Sequence, residues 1–237
     1  MQRIIGLGLT AGLSGGIAAF VFARILVSPL IDAAIGHEEA HAHGEEHEIF
    51  SRALQENVGA GVGTVMFAVV LGALFSVAVA ALSMQMTRRG MHTDLRWPVS
   101  ALAAIGFVAV NLVPALCFPA NPPGVGQADT IGARTTAYLV ILLASVALAI
   151  IAVAAAVRLS ARLGTWSAVA VAGWGYLVSI GAIALLVPRF DEVSDHFPAD
   201  FRINSLLTQA LMWLVLGTVF AALLPRVLST RMVDARR

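Results

Sequence analysis

The residues best suited to chemistry stand close together. His37 to Glu48 reads HEEAHAHGEEHE, with four His, five Glu, two Ala and one Gly. Imidazole nitrogens and carboxylate oxygens are the donors that hold first-row divalent ions. His37 and His41, and again His43 and His47, stand four apart, so each pair would share a face on any helical turn formed around a metal. With Glu38 and Glu46 these four His are the candidate metal ligands. Their chemistry suits Co(II), with Ni(II) and Zn(II) equally admissible, and donor type alone does not select cobalt. The ion is bound or carried cargo; no permanent cofactor is expected.

The same stretch matches two zinc-peptidase patterns, H-E-x-x-H at His37 and H-x-x-E-H at His43. A run composed mostly of His and Glu produces such matches by composition alone. It also has a central Gly44 and no apolar face to dock as a rigid catalytic helix. The expectation is a binding loop and not an enzyme.

Everything around the loop is apolar. The chain has 237 residues, of which 59% are hydrophobic and only 12% charged, against about 25% charged in a soluble domain. The basic residues are all Arg, 15 of them, with no Lys. The phosphate-gripping P-loop needs its Lys, so the chain is not an ATPase of that kind. One Cys, Cys117, excludes an internal disulfide and any multi-cysteine metal site. No span carries the His pair that a bis-His haem would require.

A membrane helix needs about 20 apolar residues. Six stretches qualify: 4–31, 58–84, 98–118, 135–157, 166–187 and 205–224. The expected fold is all-α, a single polytopic membrane domain over 1–237 with the His/Glu-rich loop at 32–57. The first stretch is too long for the apolar part of a cleavable signal peptide and reads as a span. Ten Arg fall on the side shared by both termini and four on the other; twelve of the 14 acidic residues, and five of the six His, partition the opposite way. The positive-inside rule therefore puts both termini in the cytoplasm and the His loop outside. An outer face so rich in acids gathers cations before any specific site acts. Membrane lipid and a divalent metal ion are the expected partners, and nucleic acid is not.

Inside the spans, few residues could touch a passing ion. Arg24 is intramembrane and a functional candidate by position. Asn111 and Cys117 flank Pro114, which removes a helical hydrogen bond near the outer end of the third span. Asn121 follows in a proline-rich connector. Asp191 and His196, in the last outer loop, could complete a metal site begun by the first loop. Gly8, Gly12 and Gly16, with Gly59 and Gly63, have the four-residue spacing that lets membrane helices approach closely.

Three segments carry a family resemblance: FPANPPGVGQADTIGART (Phe118 to Thr135), FPADFRINSLLTQALMW (Phe197 to Trp213) followed by Gly217 and Phe220, and the Gly-rich first span leading to Pro29 and an acidic loop. Through them the chain resembles the CbtA family of cobalt transporter subunits. The resemblance implies an integral component of cobalt uptake in the bacterial inner membrane, serving cobalamin synthesis beside a small His-bearing partner, CbtB. It implies five spans where hydropathy yields six, and it places a His-rich segment on the partner rather than on this subunit. The alternative function is a non-transporting membrane protein that captures metal and hands it to a partner permease.

Overall fold

The structure is a computed structural model that describes residues 2–31, 58–90, 94–121, 130–188 and 199–234. These form α1 (Gln2–Leu26), α2 (Ala60–Arg88), α3 (Arg96–Phe107), a π-helical turn (Val108–Leu112), α4 (Val113–Cys117), α5 (Ile131–Leu163), α6 (Thr165–Leu186) and α7 (Ala199–Asp234). Among the described residues six helices are long and apolar enough to cross a membrane, the third being Arg96–Cys117 with the π-helical turn inside it. The all-α, six-span expectation holds. In lipid this is the favoured solution, because each backbone amide finds its partner within its own segment.

The ends of the helices follow local chemistry. α1 stops at Leu26 instead of continuing to Ile31, and a separate turn begins where Leu30 and Ile31 N–H both reach Val27 O. Pro29 has no amide to donate to Ile25 O, which accounts for the break. Arg89 N–H and Gly90 N–H close α2 on Met86 O and Thr87 O, with Gly90 at φ 66°. Asp94 Oδ1 accepts from Arg96 N–H at 3.0 Å and starts α3. The last helix was expected to end at Leu224 but runs through Pro225 to Asp234. A single missing amide removes one hydrogen bond, and a long helix can absorb that loss.

The chain divides into two compact units. Unit 1 comprises 1–104 and 203–237. Its α1 and α2 pack antiparallel along a seam of small residues: Gly8 lies on Gly72 and Ser76, Gly12 on Ala68, and Gly16 on Val65. A Cβ added at Gly8 would stand 2.7 Å from Ser76 Cβ, and one added at Gly16 would stand 2.9 Å from Val65 Cα. The first three glycines thus do what their spacing implies. Gly59 and Gly63 do not, since neither has a neighbour within 4 Å of where a Cβ would be; Gly61 meets the Phe20 ring instead. α7 closes the unit, with Met212 O against Gly15 and with Phe75 edge-on to Trp213 and Phe220 at centroid distances of 6.1 and 5.3 Å.

Unit 2 comprises 105–202. Here α5 and α6 form a helical hairpin whose whole connection is Gly164, at φ 78° and ψ 158°, a conformation open to glycine. The core is Val113, Ile141 and Ile180, with Val108, Cys117, Phe118 and Tyr176 packed around it. α6 leaves most of its apolar surface facing outward. In water such a helix would be an aggregation hazard, whereas in lipid it is solvated.

Candidate functional site

Unit 2 holds a five-residue break in α-helical regularity within a span. Through Val108–Leu112 the helix widens, and Val113 N–H reaches back five residues to Val108 O. Regular α pairing resumes by Phe118 N–H to Pro114 O, 2.7 Å. In an unbroken helix the carbonyls of Ala109 and Val110 would accept from residues 113 and 114. The amide of Val113 is spent on Val108, and Pro114 has none. Neither carbonyl therefore keeps its regular α partner. Single-turn π-bulges occur often at functional sites, and broken backbone at membrane depth persists only where it lines a cavity or is buried in protein. Ala109 and Pro114 are buried.

The sequence places a freed carbonyl near Asn111, and the π turn falls at that point of the span. Asn111 itself lies in the π turn, and Cys117 ends α4, half-buried against the unit 2 core. Arg24 sits in the last turn of α1, in unit 1. Asn121 has a defined role: its Oδ1 accepts from Arg202 Nη2 at 3.0 Å. That bond ties Asn121, just after the third span, to the first turn of α7. The hydrogen bond is charge-assisted, the stronger kind.

His37, Glu38, His41, His43, Glu46 and His47 lie outside the described residues, as do Asp191 and His196. Among the described residues no three His, Cys, Asp or Glu come together to hold a metal ion.

Two polar features of the spans were not singled out from the sequence. Ser145, fully buried on α5, hydrogen-bonds Tyr176 on α6, Oγ to Oη 2.7 Å. Other span hydroxyls fold back on their own helices, as Thr10 does to Gly6 O, Ser76 to Ala73 O, Thr136 to Gly132 O and Thr208 to Asn204 O. Only a pairing between helices distinguishes Ser145, and no sequence pattern announces it. In unit 1, Gln209 Oε1 is buried without a hydrogen-bond donor. A buried acceptor left so costs about 1–3 kcal/mol, and such a group in a native fold calls for an explanation.

No curated protein and no solved structure matches the chain. Residues 1–225 match the sequence profile of the family described as probable cobalt transporter subunit (CbtA). With the match covering nearly the whole chain and six apolar helices of spanning length beneath it, this multi-pass membrane protein belongs to the CbtA family.

Proposed function

We propose that the chain is the membrane-spanning subunit through which a divalent transition-metal ion, Co(II) foremost, enters the cell, and that His37 to Glu48 is its outward capture loop. The family match over residues 1–225 carries this reading. The partition of Arg toward one side and of acids and His toward the other supports the orientation, with both termini cytoplasmic and the protein in the bacterial inner membrane. A subunit needs a partner, and a small His-bearing membrane protein of the CbtB kind fits that role.

Capture and passage are separate tasks in this scheme. The loop concentrates ions by imidazole and carboxylate binding, while Asp191 and His196 add donors on the same outer face. The spans pass the ion without holding it tightly, since conduction requires a site weak enough to leave. Arg24, Asn111, Cys117 and Asn121 stand along the membrane body as candidates to shape that passage. A potential of 100 mV gives an entering divalent ion about 4.6 kcal/mol, twice the single-charge value, so uptake does not require a nucleotide.

The test is accumulation of labelled cobalt and nickel by cells carrying the intact chain or one with His37, His41, His43 and His47 replaced by Ala. Uptake falls at low external metal and is near normal at high metal if the loop gathers ions for the bundle. Equal uptake at every concentration refutes the capture role; complete loss at every concentration puts the loop in the conduction path.

The absence of a charged ligand cluster among the described span residues favours one second reading, capture and hand-over to a separate permease. Proteoliposomes containing this chain alone separate the two, because a hand-over protein gives no flux until its partner is added.

A further inference from the structure

The break in the third span and the Ser145–Tyr176 pair lie at one level of unit 2. Val113 packs with Ile141 and Ile180 in a single core. One helical turn toward the inner end of the third span comes Ala109 or Val110; the matching step along α5 reaches Ser145, and along α6 it reaches Tyr176. Ser145 and Tyr176 are hydrogen-bonded, which fixes that register between α5 and α6. Tyr176 is eleven residues into the 22-residue α6, about 16 Å along a helix of about 33 Å, hence halfway. By this count the two hydroxyls stand level with the π turn, where Val113 N–H is spent on Val108 O and Pro114 has no amide, at about mid-span depth.

We propose that the π turn at Val108–Leu112 and the Ser145–Tyr176 hydroxyl pair form a neutral-oxygen station for a cation, the carbonyls of Ala109 and Val110 and the Tyr176 hydroxyl being its contacts. The chemistry is that of unwound backbone at the membrane midplane, where carbonyls of interrupted helices coordinate ions. With no carboxylate among them, these oxygens bind weakly and keep part of the ion's hydration, which suits transit. A single hydrogen bond between two hydroxyls leaves lone pairs on both oxygens to face the ion. The station deepens the uptake reading above and rests on it for the ion's identity. The ion is either the cargo or a coupling alkali cation, since both are served by neutral oxygen.

Pro114 makes the station testable. Replacing it by Ala restores an amide to the helix and caps one of the open carbonyls, so stability and ion binding should move in opposite directions. The protein for the test is the full chain, purified in micelles, with the four loop His changed to Ala and the five Glu of 37–48 to Gln, so that the loop's metal ligands are removed. Its thermal unfolding is followed by tryptophan fluorescence while Co(II), and separately Na⁺, is titrated. The expected result is a midpoint that rises with one of the two cations, with Tyr176→Phe and Pro114→Ala each weakening the apparent affinity at least tenfold. Pro114→Ala also raises the ion-free midpoint. A response to Co(II) identifies cargo, and a response to Na⁺ alone identifies a coupling ion. No response to either cation, or unchanged affinity in both folded variants, overturns the station. Should cells carrying the chain accumulate no cobalt while the purified protein still shows the Pro114-dependent cation response, the uptake reading fails and the station stands.

Discussion

Consider the seam between α1 and α2. Gly12 packs on the Ala68 carbonyl, and a Cβ there would also stand 3.0 Å from Val69 Cα, whereas Gly63 on the neighbouring helix has nothing within 4 Å of its Cβ position. Carbon atoms rest at about 3.5–4.0 Å, so Gly12→Ala forces the helices apart by roughly 0.5–1 Å. A gap of that size forfeits about a quarter to a half of each contact's attraction. Over a few tens of atom pairs worth about 0.1–0.2 kcal/mol each, the loss is roughly 1–2 kcal/mol. Repulsion against the carbonyl adds to it; the helix preference for Ala over Gly returns about 0.5–1 kcal/mol. Gly63→Ala receives only that favourable part. The two variants should therefore differ by about 2–3 kcal/mol, which for a chain of this size separates their unfolding midpoints by roughly 4–12 °C. Differential scanning fluorimetry of the purified variants reads this directly. Midpoints that move together, in either direction, would refute the seam as a close-packed contact.

Removing the orphaned acceptor by Gln209→Leu should stabilise unit 1 by about 1–3 kcal/mol, seen as a higher unfolding midpoint; a lower one would mean that the amide has a partner in the membrane. Asn121→Ala and Arg202→Ala should each lower the midpoint, with a coupling of about 1 kcal/mol in the double-mutant cycle, and additive losses would show that the bond contributes nothing. With Cys117→Ser as background, Ala42→Cys should react with a membrane-impermeant maleimide added outside intact cells and Thr93→Cys should not; the reverse pattern inverts the proposed orientation. Cobalt uptake at low metal should weaken as the medium is made acidic, because protonated imidazole no longer binds metal. The four-Ala loop variant should lose that dependence, and its persistence there would place the titrating group elsewhere.

The fold was legible because hydrophobicity over about 20 residues is a strong signal and lipid permits few alternatives. The errors fall where a single residue competes with its surroundings. Pro29 ended α1 five residues early while Pro225 failed to end α7, and a rule that Pro stops helices does not tell these apart. Gly59 and Gly63 have the same spacing as Gly8 and Gly12 but look outward, since spacing specifies a face and not what lies against it. The site was legible only at its break: Pro114 announces a lost amide, but a π turn rather than a kink depends on packing against α5. Ser145 looked like one more small residue in a run of Ala and Val until its partner, 31 positions away, was known.

That partner bears on how ions cross. The described spans present hydroxyls, an amide and carbonyls, with no carboxylate or imidazole group able to enclose a metal. A divalent ion held at mid-membrane by charged ligands would bind deeply and leave slowly; neutral oxygens give a shallower well that the potential can empty. High affinity then belongs outside the hydrocarbon, where water shares the coordination and release costs little. Under the proposed reading, the concentration of His and Glu in one outer loop and their scarcity in the bundle are two consequences of that requirement.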